Sequence, residues 1–265
     1  MIRTRIAFAS AVLGALCCAL APAQASMTPP QYWDVGVSSP PGAAVPPDAQ
    51  VTGEDGRRRS LRDLVAGPTV LIFADYTCAT LCGPIVSFAA AALAQTGLTP
   101  GRDYRLLVIG LDPKDTAADA ATMRRAHLGG DAAINGASLF VTADQASVTA
   151  ITQALGYNYH YDKEHDQFAH PAAAYVLSAD GRVARVLTGV GLSGADMRLA
   201  LVDAGQGKVG TLRDHVRLLC YGFDPAHGTY NVLVSRLLAA AGLTTIIVLG
   251  GGIALLALAG RRRPA

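Results

Sequence analysis

Blocks of apolar and polar residues along this chain predict a mixed α/β domain. Two largely apolar runs, 70–73 and 104–111, are typical of strands that are buried on both faces of a sheet. Shorter strand patterns follow at 51–53, 57–61 and Ser138–Thr142. A hairpin is predicted where the strands Ala173–Leu177 and 183–187 flank the turn signal at 179–182.

Helical patterns separate these strands. Thr116 and Ser193 precede two of them and have the side chains that cap helix N-termini. The predicted helices are a short turn at 61–64 and longer segments at 85–98, 116–127, 146–155 and 193–204. Strands that alternate with helices and then close in a hairpin predict an α/β fold with a central sheet flanked by helices on both faces.

The N-terminal residues 1–25 have the pattern of a secretory signal peptide. Arg3 and Arg5 precede an uncharged apolar stretch at 6–20, and Ala23-Gln24-Ala25 provides small residues around a cleavage site. The alternative is a first transmembrane helix, for which the stretch is short. Cleavage would remove Cys17 and Cys18 from the mature protein.

The C-terminal run 237–260 carries no charge and predicts a transmembrane helix. It would span about 36 Å as a helix, against roughly 30 Å of hydrocarbon. Three arginines open the tail 261–265 and place that end in the cytoplasm by the positive-inside rule. The alternative is a buried helix of a soluble domain. Both chain ends therefore predict a domain on the outer side of the cytoplasmic membrane, facing the periplasm or the cell exterior.

The remaining organisation follows from composition. Residues 26–47 are rich in proline, serine and glycine and predict an extended linker. The main domain is expected at 48–208 and a membrane-proximal segment at 209–236. The net charge is only +2, which gives no support for a nucleic-acid partner.

Three cysteines remain after signal cleavage: Cys78, Cys82 and Cys220. If 78–82 is helical, Cys78 and Cys82 lie on one face, and a helix N-terminus favours the thiolate. Such a pair can form a redox-active disulfide or bind a soft metal, and the spacing does not choose between them. A bridge that closes so short a loop would stabilise the fold little.

Other candidate groups accompany the thiols. Asp75 could accept a proton during disulfide exchange or could cap the following turn. Cys220 is either an accessory thiol or a small buried residue. Three histidines, His160, His165 and His170, crowd a segment that predicts a loop. His170 stands directly before a strand and beside a proline, whereas the other two lie in polar sequence.

Two thiolates and one imidazole form a soft ligand set. Such a set suits cuprous copper and accepts zinc only with a further ligand. The residue types make Cys78, Cys82 and His170 a candidate set, although sequence spacing alone does not show that His170 reaches the thiols.

The order of these motifs resembles the SCO/SenC family of thioredoxin-fold copper proteins. The matching features are Asp55-Gly56, the stretch from Phe73 to Cys82 with its Cys-x-x-x-Cys motif, His170, and the later Asp180-Gly181 turn. The resemblance covers about 45–208. It implies a thioredoxin-like sheet and a metal site of Cys78, Cys82 and His170 that takes cuprous, and also cupric, copper.

The resemblance also implies a function. The chain would be a membrane-anchored copper chaperone that helps to assemble the dinuclear copper centre of cytochrome c oxidase. Its partners would be the copper-bearing oxidase subunit and other copper chaperones or thiol reductants. The alternative is a thiol–disulfide oxidoreductase that reduces the acceptor's cysteines, or a peroxidase-like or redox-sensing protein.

The sequence departs from the family pattern at several positions. Ala79-Thr80 replace Pro-Asp after the first cysteine, Gly83 stands before the proline that usually follows the second, and Ala169 replaces an aspartate before the histidine. The predicted anchor lies at the C-terminus, whereas most members carry it at the N-terminus. The ligand set itself is intact.

Overall fold

The computed structural model describes most of the chain from Asp34 onwards. The described residues are 34–78, 82–128, 130–163, 166–189, 191–224, 229–232 and 241–252. Of Cys82, 216–217, 219–224 and 229–232 the backbone alone is described. The predicted signal peptide at 1–25 lies outside the described residues.

A seven-stranded mixed sheet organises the domain, in the order β11-β10-β4-β5-β6-β2-β3. The central strands β4, β5 and β6 are parallel, and the outer strands are antiparallel to their neighbours. The strands of this sheet are β2 Gln50–Gly53, β3 Arg58–Ser60, β4 Thr69–Ala74, β5 Arg105–Gly110, β6 Ser138–Thr142, β10 Ala173–Leu177 and β11 Val183–Thr188. Three two-stranded pairs lie outside it: β1 Gly36–Val37 with β7 Tyr157–Asn158, β8 His160–Asp162 with β9 Gln167–Ala169, and β12 Tyr221–Asp224 with β13 Thr229–Val232.

The described helices include the five predicted segments and two further ones, at 132–136 and 212–220, that were not predicted. They are α1 Leu61–Leu64, α2 Cys82–Ala94, α3 Ala117–Leu128, α4 Ala132–Gly136, α5 Gln145–Leu155, α6 Gly194–Ala204 and α7 Leu212–Cys220. Both predicted caps are confirmed: the Thr116 hydroxyl accepts from the amide of Asp119 at 3.3 Å, and Ser193 accepts from the amides of Ala195 and Asp196. The first long helix begins at Cys82, three residues earlier than predicted, and it ends at Ala94 rather than 98.

The core has two layers, one on each face of the sheet. Along β4, Val70 and Ile72 pack with α2, α3 and α6, whereas Leu71 and Phe73 pack with α1 and α5. All six β4 residues are buried, as expected for a central strand that is covered on both sides. The predicted α/β fold with helices on both faces is therefore confirmed.

The segment predicted as an extended linker is described from Asp34, and there it lies along the domain. Val37 pairs with Tyr157 in a short strand contact, and Ala43 and Val45 are buried. The amide of Val45 donates to the carbonyl of Gly181 at 2.9 Å. These contacts are made by strands of two residues or fewer, which leave no periodicity for a sequence pattern to reveal.

The segment predicted to be membrane-proximal, 209–236, contains α7, which an ion pair joins to α6. The Asp214 carboxylate accepts from Arg198 Nε at 2.8 Å and from Nη2 at 2.6 Å. The amide and hydroxyl of Thr211 also donate to it, each at 2.7 Å. These bonds, with that to Arg198 the strongest, hold the pKa of Asp214 well below its usual range.

The predicted transmembrane helix 237–260 is described only at 241–252, which is helical. Its large apolar side chains are exposed, with Ile246 at 69% and Val248 at 65%. Among the helices of the described residues, none has the length and hydropathy needed to cross a bilayer.

Candidate metal centre

The end of β4 and the beginning of β10 lie side by side in the sheet. The two strands are antiparallel, with Ala174 opposite Ile72 and Tyr175 opposite Leu71. The residues that follow β4 and those that precede β10 therefore come to the same edge of the sheet. This topology brings the turn with Cys78 and the segment with His170 to one place, although they are far apart in sequence.

Asp75 organises the turn that carries Cys78. Its carboxylate Oδ1 accepts from the amides of Thr77 and Cys78 and from the Thr77 hydroxyl, each at 3.1 Å. Asp75 is only 1% exposed, whereas Cys78 is half-buried. The geometry therefore shows Asp75 capping the turn, and its predicted role as a proton acceptor stays a prediction.

The second thiol comes from the start of α2. This helix begins at Cys82 and has no acidic residue in its first turn, so the positive end of its dipole is unopposed there. Among the described side chains, no three His, Cys, Asp or Glu groups form a metal cluster. The side chain of Cys82 lies outside that set, as does that of Cys220 at the end of α7.

His170 is half-buried at the same sheet edge. Burial lowers the pKa of its imidazole, and the Pro171 carbonyl and the charge of Asp75 oppose that change more weakly. The net direction favours the neutral ring, which is the form that binds metals. Of the other two histidines in this segment, His160 is exposed on β8, and His165 lies outside the described residues.

Sequence reasoning missed Tyr157. Its hydroxyl lies 2.9 Å from His170 Nδ1 and 2.9 Å from the Pro171 carbonyl oxygen. The contact could not be read from the sequence, because the predicted loop between the two residues contains the β8–β9 hairpin, which folds the chain back. The aromatic residues at 157, 159 and 161 were the only sequence feature that pointed to this contact.

Comparison with known proteins supplies the family. The SCO1/SenC family model matches residues 39–201, more than half of the chain. The chain belongs to the SCO1/SenC family. A comparison with curated proteins finds no match.

Solved structures show the fold of this SCO1/SenC domain. A crystal structure of a protein from Aquifex aeolicus VF5 is similar at 24% identity and a TM-score of 0.55, over 62% of this chain and 93% of that one. BsSco, described with a disulfide switch and as a member of the Sco family of cytochrome c oxidase assembly proteins, is similar at 18% identity and a TM-score of 0.51, over 64% and 97%. Bradyrhizobium japonicum ScoI, solved with copper bound, matches at 18% identity and a TM-score of 0.46, over 62% and 98%. The two structures with TM-scores above 0.5, the Aquifex protein and BsSco, confirm the predicted thioredoxin-like fold.

One departure from the family pattern has a structural reason. In this SCO1/SenC chain, Gly83 follows the second cysteine, and the His127 ring packs directly against it. A Cβ atom on residue 83 would stand 2.1 Å from His127 Nε2, which is closer than any real contact. His127 is held from its other nitrogen, because Nδ1 lies 2.8 Å from the Ser87 hydroxyl. The glycine is therefore needed for this imidazole to reach the first turn of α2.

A buried acid, Asp115, lies beneath the Cys78 turn of this SCO1/SenC domain. Its Oδ2 accepts from the amide of Tyr76 at 3.3 Å, and its Oδ1 is buried without a hydrogen-bond partner among the described residues. Burial, with smaller contributions from the charges of Asp75, Asp112 and Asp119, raises the pKa of Asp115 to about 7. The carboxyl therefore changes charge near neutral pH.

The raised pKa of Asp115 predicts that the free energy of unfolding depends on pH. Because folding raises the pKa of Asp115 above its ordinary value, the protein loses stability as pH rises from about 4 to about 7. The full difference corresponds to about 4 kcal/mol. We expect Asp115→Asn to be more stable than the wild type by about 2 kcal/mol at about pH 8, since the amide leaves one donor unpaired. Near pH 4 the carboxyl is neutral in the folded protein, so only the cost of the unpaired amide donor remains and the variant should be less stable than the wild type by about 2 kcal/mol.

Urea unfolding at both pH values measures this effect. Asp119→Asn is the control, because Asp119 caps the same helix region and its pKa is lowered by the Thr116 hydroxyl and amide. It should show no gain at high pH. An equal change in both variants would contradict the assignment to Asp115.

Proposed function

We propose that this protein is a membrane-anchored, extracytoplasmic copper chaperone. It carries cuprous copper on Cys78, Cys82 and His170 and delivers it during assembly of the dinuclear copper centre of cytochrome c oxidase. Copper is its cargo, and the copper-bearing oxidase subunit is the acceptor. Other copper chaperones or thiol reductants supply the metal or keep the thiols reduced.

The pairing of β4 with β10 carries this proposal. It supports a site near both the turn that carries Cys78 and the segment that carries His170, and burial lowers the pKa of the His170 imidazole, which favours its neutral form. Two thiolates with one imidazole suit cuprous copper, and a three-ligand site can pass its metal on by ligand exchange. The half-buried position of Cys78 leaves a route for an acceptor to approach.

The proposed location rests on the chain ends. A signal peptide at 1–25 would export the domain, and a helix at 237–260 would hold it at the cytoplasmic membrane with 261–265 inside. The exposed apolar side chains at 241–252, such as Leu243 and Ile247, are the surface that a lipid environment would cover.

A second function is favoured by the position of Cys82 at the start of α2. A helix N-terminus stabilises thiolate, which is the reactive form in disulfide exchange. In this function the partly exposed Cys78 attacks an acceptor disulfide. The Cys82 thiolate, which the helix start stabilises, then attacks the Cys78 sulfur and displaces the acceptor from the mixed disulfide. The acceptor gains two electrons and two protons as two thiols, and the protein retains a Cys78–Cys82 disulfide.

Cuprous titration of the reduced, metal-free full chain in detergent tests the proposal. We expect one copper per chain, with two sulfur ligands and one nitrogen ligand by X-ray absorption. The loaded protein should then transfer its copper to the metal-free copper domain of an oxidase subunit. Absence of cuprous binding would refute the chaperone function, whereas binding without transfer would refute the delivery step.

A further inference from the structure

The hydroxyl of Tyr157 lies between the imidazole of His170 and the backbone carbonyl of Pro171. It is 2.9 Å from His170 Nδ1 and 2.9 Å from the Pro171 oxygen. The same Nδ1 is also 3.3 Å from that oxygen. The three polar atoms thus form a closed triangle of contacts, in which only the Tyr157 hydroxyl and the His170 ring nitrogen can carry a proton.

The number of protons decides how the triangle is bonded. The Pro171 carbonyl can only accept, and the Tyr157 hydroxyl has a single proton. If that proton is donated to Pro171, the Tyr157 oxygen accepts from Nδ1–H, and every contact in the triangle is a hydrogen bond. If it is donated to Nδ1 instead, neither group donates to the carbonyl. The fully bonded arrangement therefore requires the proton of His170 on Nδ1.

We infer that Tyr157 is a positioning residue that fixes His170 as the Nδ1–H tautomer and leaves the Nε2 lone pair to bind copper. The inference rests on the proposed function, since it makes Nε2 the copper ligand. Histidines that bind metals commonly donate their other ring N–H to a fixed acceptor, which orients the ring and raises its basicity. Here the acceptor is a phenol that is itself held by a carbonyl.

Tyr157 is held firmly enough to orient its neighbour. It is only 2% exposed, and its ring packs on Phe73 with centroids 4.5 Å apart and on Tyr175 at 6.1 Å. Its backbone pairs with Val37. Gly156 before it has a φ of +64°, and a Cβ there would stand 2.1 Å from the Ser38 carbonyl oxygen. The phenol is therefore fixed by both its ring and its backbone.

The experiment compares Tyr157→Phe with Tyr175→Phe. Tyr175 is a matched control, because it is buried in the same aromatic cluster and its hydroxyl also donates to a carbonyl, that of Leu155 at 3.2 Å. Among the described residues its hydroxyl bonds to Leu155 and not to His170, so its loss removes a comparable hydrogen bond without touching the ligand. Near-ultraviolet circular dichroism verifies that both variants keep the native core.

The first measurement is nitrogen NMR of the metal-free protein labelled in histidine. We expect His170 in the wild type and in Tyr175→Phe to carry its proton on Nδ1. In Tyr157→Phe a measurable fraction of the proton should move to Nε2, because the Pro171 carbonyl at 3.3 Å is then the weaker acceptor that remains for Nδ1–H. This reading does not depend on copper, so it tests Tyr157 even if the proposed copper site fails.

The second measurement is cuprous affinity by competition with a chelator. Tyr157→Phe should bind about tenfold to a hundredfold more weakly than the wild type, and Tyr175→Phe should bind like the wild type. In a His170→Ala background, Tyr157→Phe should cause no further loss. An unchanged tautomer in Tyr157→Phe, or an equal loss in both tyrosine variants, would overturn the inference. Absence of copper binding by the wild type would instead refute the proposed function.

Discussion

Replacing His170 by alanine should weaken cuprous binding by more than about a hundredfold, which exceeds the loss expected for an outer-shell partner. In the proposed site the His170 imidazole is the nitrogen ligand, and the other histidine described in this segment, His160, is exposed on β8. Loss of the ring would leave two thiolates alone. Chelator competition on the reduced full chain measures the change.

His160→Ala is the matched control for this variant. It removes an exposed histidine from the same segment, on β8, and should bind copper as the wild type does. Thiol exchange with a disulfide substrate should persist in His170→Ala and disappear in Cys78→Ser. Unchanged copper affinity in His170→Ala would show that the ligand set is wrong, and retained exchange would then favour the oxidoreductase.

Replacing Phe73 by alanine should destabilise the fold by about 3–5 kcal/mol. Phe73 is 1% exposed and is the next-to-last residue of β4, just before the turn that carries Cys78. Its ring packs on Tyr157 at 4.5 Å and on Tyr175 at 6.3 Å, so its removal opens a cavity beside these two rings. Urea unfolding, monitored by far-ultraviolet circular dichroism, measures the loss of stability.

Phe88 provides the control for this cavity. It lies on α2 with 42% of its surface exposed, and Phe88→Ala should cost about 0.5 kcal/mol. A similar cost for both variants would mean that Phe73 is not a core residue. Because Phe73 supports Tyr157, the core variant should also shift the NMR signals of His170, which the surface variant should leave in place.

The elements of the sheet could be predicted from the sequence because its central strands are long apolar runs. Thr69–Ala74 and Arg105–Gly110 were both located to within a few residues, as were the caps at Thr116 and Ser193. Fold class followed from the order of these elements. Burial on both faces gives a strand a continuous apolar signature that local pattern can reveal.

The partners of His170 could not be predicted in the same way. Its bond to Tyr157 depends on strands of two or three residues, β1, β7, β8 and β9, which are too short to show a period of two. The buried Asp115 was likewise missed, since its neighbour Tyr76 is supplied by a different strand end. Such contacts depend on how distant segments pair in the folded protein, and the local residue pattern does not reveal that pairing.

Because the His127 ring packs on Gly83, the residue types that fit at these two distant positions depend on each other. No side chain fits at 83 while the imidazole occupies its present place. A larger residue directly after the second cysteine therefore requires the His127 ring to leave its present place, either by rotating away from Ser87 or by exchange for a smaller residue. Exchanging residues 83 and 127 together is therefore the simplest way to place a larger residue after the second cysteine of this domain.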